Sequence, residues 1–97
     1  MATLLNAVTS NTTGTGSAMT GPCTVYVRGT LAGAEVVIQV ADENVSASYV
    51  PPDKSIISEH RFSGPGAVTL NAVGAYFVRA LLGNASDSTS VTVVALQ

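Results

Sequence analysis

Short stretches in which apolar and polar residues alternate recur along the chain, and this period of two predicts β-strands. The clearest stretch is residues 23–31, in which Cys23, Val25 and Val27 share one face. No stretch continues the 3.6-residue apolar period of a helix. We therefore expect an all-β fold of six or seven strands. The other predicted strands are residues 3–8, 35–41, 56–62, 67–71, 74–82 and 88–96.

The apolar side of each predicted strand must be buried, and two antiparallel sheets packed face to face achieve this. The chain has 97 residues, of which 46% are hydrophobic, which suits one domain with one core. We therefore predict an antiparallel two-layer β-sandwich. Its expected core consists of Val25, Val27, Val36, Ile38, Val40, Val68, Leu70, Tyr76, Val78, Val91 and Val93.

The segment of residues 9–22 is small, polar and Gly-rich, and Met19 is its one large side chain. Ordering such a segment costs about 1–2 kcal/mol of backbone entropy per residue and buries little in return. We therefore expect residues 1–22 to form an N-terminal strand and a flexible arm, and residues 23–97 to form the sandwich.

An apolar, strand-capable run lies just before this spacer and contains Thr3, Leu4, Leu5 and Val8. A strand on a flexible tether can add to the sheet edge of another subunit through main-chain hydrogen bonds. We therefore predict that these four residues contact a neighbouring subunit or a larger protein surface. The alternative is that residues 3–8 are the first strand of the same sandwich, because sequential elements usually pack together.

The most specific local pattern lies between Val68 and Leu96. It contains a strand, a corner, a strand that begins Gly-x-Tyr-x-Val, a polar hairpin loop at residues 83–87 and a final Val/Thr strand. This order resembles the last three strands of an immunoglobulin-like sandwich, without the cysteine pair and core tryptophan of antibody domains. The resemblance places Tyr76 at the tyrosine corner, where a buried ring bonds backbone groups of the preceding connection. The alternative is an ordinary half-buried strand tyrosine.

Charged residues are scarce, at 10% of the chain where about 25% is usual. The formal net charge is -2, and the four cations are Arg28, Lys54, Arg61 and Arg79. Electrostatic binding of nucleic acid needs clustered Lys and Arg, so we expect no nucleic-acid partner. The surface must consist mainly of Ser, Thr, Asn, Gly and Ala, which suits a chain that packs against other subunits.

The sequence contains no recognisable catalytic or metal-binding motif. His60 is the only histidine, and no G-x-S-x-G elbow accompanies it. Asp42, Glu43 and Asp53 share one long connection, but their spacing matches no EF-hand. Cys23 is the single cysteine, so no intramolecular disulfide can form, and we expect a buried, unreactive thiol. We therefore predict a protein that is not an enzyme and has no cofactor or metal.

No stretch has the basic and apolar segments of a signal peptide. No apolar run is longer than four residues, whereas a membrane span needs about 18. We therefore expect neither a signal peptide nor a transmembrane segment, and no membrane partner.

A compact Ala/Val/Thr/Gly-rich β-sandwich of this length, with an N-terminal arm and without disulfides, resembles small structural proteins of bacteriophage virions, such as capsid decoration or cement proteins. The resemblance implies virion proteins as partners, homo-oligomers with trimers favoured, assembly in the host cytoplasm, and an arm that pairs with the capsid. The alternative is an immunoglobulin-like adhesion module, cut from a larger protein, that binds a cell-surface glycan or receptor. Met1 and the polar Gln97 ending favour a complete gene product over that module.

Overall fold

The computed structural model describes residues 2–45, 48–49, 61–71 and 73–97, and the regular elements in these ranges are nine β-strands. This confirms the predicted all-β class. The strands are β1 (Ala2–Val8), β2 (Thr12–Thr13), β3 (Ser17–Thr20), β4 (Cys23–Thr30), β5 (Glu35–Ala41), β6 (Arg61–Phe62), β7 (Gly66–Leu70), β8 (Ala75–Gly83) and β9 (Ser90–Leu96).

The strands form two antiparallel sheets that pack as a sandwich. The four-stranded sheet has the order β1-β9-β4-β7. The five-stranded sheet has the order β2-β8-β5-β6, and β3 pairs with β8 beside β2. The two strands beyond the predicted seven are β2 and β3, which lie in the segment expected to be a flexible arm. Of the predicted strand at residues 56–62, only residues 61 and 62 lie within the described ranges.

The core lies between the sheets and is built from the predicted faces of the strands. Val25, Val36, Ile38 and Val78 have no exposed surface. Burying a side chain of this size contributes about 1.5–3 kcal/mol. Nine of the eleven predicted core residues are buried, and the other two, Val40 and Val68, are partly buried and pack against that core. The buried residues missing from the prediction include Leu4, Leu5, Met19, Leu31, Ala34 and Leu82.

The prediction that the first strand leaves its own domain is wrong. β1 pairs with β9 of the same chain, with Thr3 opposite Val94 and Leu5 opposite Val93. The register shifts on both sides of Leu5, as at a β-bulge, and Leu4 and Leu5 are consequently both buried. Simple alternation would have sent one of the two leucines outward. The prediction depended on a flexible tether at residues 9–22, but strands of that segment pair with β8, and the alternative of a first strand in the same sandwich is what the structure has.

The prediction of a flexible arm over residues 9–22 is also corrected. β2 and β3 lie along β8, and Met19 is 5% exposed. Between them the N–H of Gly14 donates to the carbonyl oxygen of Ala80 at 2.8 Å. A Cβ on Gly14 would lie 2.7 Å from the carbonyl oxygen of Leu4 and 2.8 Å from that of Ala80. The small residues of this segment are typical of a linker by composition. Here they allow its backbone to pack closely against β1 and β8.

The immunoglobulin-like strand order is not confirmed. In that order the last two strands are neighbours in one sheet. Here β8 pairs with β5 in one sheet, whereas β9 pairs with β4 and β1 in the other. The loop at residues 83–87 is therefore a crossover between sheets and not the predicted hairpin. Thr89 fixes this crossover, because its buried hydroxyl donates to the carbonyl oxygen of Leu31 at 2.8 Å.

We expect Gly14→Ala to lower the free energy of unfolding by about 1–3 kcal/mol, the usual cost of overpacking. The added methyl group meets backbone oxygens on two sides, and these cannot move without disturbing β1 and β8. Urea denaturation measures the change. Gly64→Ala is the matched control, since a Cβ there meets nothing within 4 Å. Equal effects of the two substitutions would mean that the segment is not packed against β8 and β1.

Candidate interaction surfaces

A polar contact within the core involves Tyr76, the residue assigned to a tyrosine corner. Its hydroxyl donates to the carbonyl oxygen of Gly21 at 2.7 Å and lies 3.2 Å from the sulfur of Cys23. Gly21 belongs to the connection between β3 and β4, whereas a tyrosine corner would bond the connection that precedes β8. The tyrosine-corner assignment is therefore corrected: Tyr76 links its strand to the beginning of β4 in the opposite sheet.

The outer side of the four-stranded sheet carries almost no charge. We call it the β4 face. Strand register places Tyr26 next to Val94 and Ala67, and Arg28 next to Thr92. Arg28 is the one charged side chain that the described strands place on this face. The face comprises Thr3, Thr24, Tyr26, Arg28, Ala67, Thr69, Thr92, Val94 and Leu96.

Two large apolar side chains on the β4 face remain in contact with solvent. Tyr26 is 44% exposed and Leu96 is 37% exposed. Val94 between them is buried, although it is not part of the core cluster between the sheets. The hydroxyls of Thr24 and Thr69 lie 3.3 Å apart across the strands. Tyrosine and arginine are enriched at the centres of protein–protein interfaces, so Tyr26 and Arg28 are the candidate anchors of this face.

The outer side of the five-stranded sheet is more polar and is partly covered by its own chain. The Arg79 guanidinium lies 4.0 Å from the centre of the Tyr49 ring and donates to Gln39 Oε1 at 2.9 Å. The Tyr49 hydroxyl donates to Asn44 Oδ1 at 2.7 Å. Burial raises the pKa of Tyr49, and the positive charge of Arg79 opposes this rise. This side is therefore less available for docking than the β4 face.

A shallow groove of about 320 Å³ lies beside this covered region. Val37 and Leu81 supply apolar surface, and the carboxylate of Glu35 pairs with the guanidinium of Arg61 at 3.2 Å. The volume is at the small end of ligand sites, which are roughly 300–1,000 Å³. The groove is lined by Asn11, Thr12, Thr13, Glu35, Val37, Leu81, Leu82 and Gly83, a set without an aromatic ring.

Two exposed apolar side chains lie outside the β4 face, in two different connections of the chain. Ala41 at the end of β5 pairs with Phe77 near the beginning of β8, so the connection after β5 leaves the sheet where the connection before β8 enters it. The first of these connections carries Asp42 and Glu43, both exposed, followed by Val45 at 51% exposure. The second carries Val73 at 98% exposure.

The structure separates the four residues that were predicted to contact another subunit. Leu4 and Leu5 are buried in their own core and are not available to a partner. Val8 is half-buried and packs against that core. Thr3 alone lies on the β4 face, opposite Val94.

The residues weighed for chemistry do not form a reactive centre within the described ranges. Cys23 is buried, as predicted, and its sulfur lies 3.2 Å from the Tyr76 hydroxyl. Asp42 and Glu43 are exposed, and the described residues contain no group of three side chains that could hold a metal ion. His60 and Asp53 lie outside the described residues.

Comparison with protein-family models, with curated proteins and with solved structures found no match. In the part of the chain that the structure describes, no helix is long and apolar enough to cross a membrane.

The β4 face itself was missed by the sequence reasoning, although a signal for it was available. The alternation in residues 23–31 places Thr24, Tyr26 and Arg28 together on the side opposite the core. The alternation does not show which strand lies beside β4. That strand is β9, and its pairing with β4 adds Val94 and Leu96 to the same surface. A one-dimensional pattern does not specify which strands pair.

We expect Tyr76→Phe to lower the free energy of unfolding by about 1 kcal/mol or somewhat more, because the Gly21 carbonyl loses a part-buried hydrogen-bond donor. Thermal or urea denaturation measures this. Tyr26→Phe is the matched control, because the Tyr26 ring is 44% exposed and its hydroxyl should contribute little. An unchanged denaturation midpoint for Tyr76→Phe would contradict the assigned hydrogen bond.

The same contact predicts a loss of stability at alkaline pH. Burial and the Cys23 contact raise the pKa of Tyr76 above its ordinary value of 10.0. Above pH 10.0 the unfolded chain loses the tyrosine proton while the folded chain keeps it, so stability is constant below that pH and falls above it. Tyr76→Phe should make this fall shallower. Parallel pH profiles for the two proteins would contradict the role of Tyr76.

Proposed function

We propose that the chain is a non-enzymatic structural protein of a bacteriophage virion, and that it decorates or cements the capsid by docking through the β4 face. The observation that carries the proposal is the composition of that face. Tyr26 lies on β4 between Val94 and Ala67, Arg28 lies beside Thr92, and no second charge lies on this face among the described residues. Such a surface has a single charge to desolvate when another protein covers it.

The low charge of the chain favours a protein that is attached to a particle over one that diffuses freely. Charged residues are 10% of the sequence, and single small domains usually keep more charge for solubility. A subunit that is packed against other subunits does not need that charge for solubility. The whole chain resembles small virion proteins in size and in Ala/Val/Thr/Gly content. This resemblance favours a capsid as the particle to which the chain attaches.

The second candidate function is adhesion to a glycan, and the groove beside Val37 and Leu81 is the observation that favours it. Its rim offers Asn11, Thr13 and Glu35, which are groups that bind sugar hydroxyls. We rank it below docking because no aromatic ring lines the groove for a sugar to stack on, and because its volume is small.

The test is to add the purified chain to phage particles that lack it, obtained from a phage whose gene for the chain is deleted. We expect saturable binding, measured by co-sedimentation, and an altered resistance of the particles to heat. Tyr26→Asp should weaken binding about tenfold or more, since it places a charge at the centre of the contact. Ser88→Asp is the matched control, since Ser88 is exposed in the β8–β9 crossover, away from the β4 face.

Absence of the chain from purified wild-type particles, judged by mass spectrometry, would contradict the proposed function. Retention of the chain on a glycan array together with failure to bind particles would favour adhesion. Equal particle binding by the two aspartate variants would contradict the assignment of the β4 face.

A further inference from the structure

The two sheets of the sandwich have four outer edges, and three of them carry features that protect an edge strand from pairing with another chain. Such features include short length, exposed charge and β-bulges. β6 is two residues long and carries the exposed charge of Arg61. The opposite edge of its sheet is divided between β2 and β3, which have two and four residues. β1 is longer, but its register shifts on both sides of Leu5, and Ala7 has a φ of 48°.

β7 is the edge strand that has none of these features. Its five residues pair with β4 in one unbroken register, from Cys23 opposite Leu70 to Val27 opposite Gly66. None of the five is charged and none is proline. Within the described ranges, no strand pairs with the other side of β7. Every second residue of an antiparallel edge strand directs its N–H and C=O groups away from its partner, so β7 presents main-chain donors and acceptors at its outer edge.

The core beside this edge is incompletely covered. Val68 lies on the inner side of β7, opposite the fully buried Val25, and is nevertheless only half-buried. Phe62 of β6 is also half-buried and packs against the same core. The Phe62 ring lies next to Gly66, because a Cβ on Gly66 would be 3.1 Å from two carbon atoms of that ring. β6 and β7 therefore border one side of the sandwich, where two core-packed residues keep some exposed apolar surface.

We propose that the outer edge of β7 binds an extended segment of a capsid subunit, which adds to the four-stranded sheet as a fifth strand. The inference rests on the proposed function in taking the capsid as the partner. It goes further by naming a second contact, made through the main chain and separate from the β4 face, and the kind of segment that makes it.

A strand is the occupant that this edge fits. A row of regularly spaced main-chain N–H and C=O groups is satisfied by the backbone of another extended chain. The side chains of the added strand alternate between two surroundings. Those on the inner side meet Val68 and Phe62, so we expect them to be apolar. Those on the outer side lie beside Ala67 and Thr69 and extend the β4 face.

The position of β7 favours the capsid as the source of the added strand. Ala67 and Thr69 of β7 belong to the β4 face, through which we propose that the capsid binds. A capsid subunit that covers this face therefore also reaches the edge of β7. The described strands of a second copy of this chain are a poorer source, because each of them is already paired in its own sheet.

A substitution at Val68 separates this contact from docking through the β4 face, because the Val68 side chain lies on the opposite side of the sheet. In the free chain, the lysine of Val68→Lys reaches water past the open edge, whereas an added strand buries its ammonium group. We expect Val68→Lys to weaken co-sedimentation with phage particles that lack the chain about tenfold or more. Val68→Met is the matched control, because its side chain is long and uncharged, and it should bind within about threefold of wild type.

Amide hydrogen exchange of the wild-type chain tests the main-chain contact directly, and it does so even if Val68→Lys lowers the stability of the fold. In the free chain, alternate amides of β7 should exchange fast, since they point away from β4. On the particles the same amides should exchange about tenfold more slowly or less. The amides of β2, at an edge of the other sheet, are the reference and should not change.

Particle binding that protects no amide of β7, or that is equal for Val68→Lys and wild type, overturns the inference and leaves the proposed function intact. Slow exchange of every β7 amide in the dilute free chain also overturns it, because the chain then covers this edge itself. Protection that appears only when the free chain is concentrated identifies a second copy as the occupant and overturns the capsid assignment. Failure to bind particles, together with absence from virions, contradicts the proposed function and this contact together.

Discussion

The pairing of β9 between β1 and β4 is the contact on which the rest of the structure depends. β9 follows every other strand in the described chain, yet it lies at the centre of its sheet, between the first strand and β4. Val91 and Val93 of β9 have no exposed surface, and Leu5 of β1 is 3% exposed beside them. The four-stranded sheet is therefore incomplete until the two most distant strands of the chain meet, which makes its formation strongly non-local.

The pairing of β9 with β1 and β4 also forms the β4 face, to which we assign the function. The side of β9 that faces inward joins the core, and the opposite side adds Val94 and Leu96 to the row that contains Tyr26. On the other sheet, the chain after β5 turns back so that Tyr49 covers Arg79. One outer side of the sandwich is thus partly covered by its own chain, whereas the other presents an open, almost uncharged face.

Strand pattern predicted the class of fold and most of the core, because a period of two directly reports which side of a strand is buried. It did not predict where residues 2–20 pack in the fold. Leu4 and Leu5 break the alternation at a bulge, and the glycines near Gly14 serve close packing where composition suggested a linker. The partner of the Tyr76 hydroxyl was likewise unpredictable, since Gly21 is 55 residues away in sequence. Bulges and long-range partners depend on strand pairing, which the alternation does not encode.

The most direct test of the central claim, that β1 completes the sheet of its own chain, is a disulfide between positions 3 and 94. Thr3 and Val94 are register partners on the β4 face, so Thr3→Cys with Val94→Cys brings two thiols together across β1 and β9. After mild oxidation we expect a cross-link within one chain, seen as a monomer with a faster-migrating band on a non-reducing gel and a disulfide-linked peptide by mass spectrometry. Cross-links found only between chains would show that β1 pairs with a neighbour and would contradict the account.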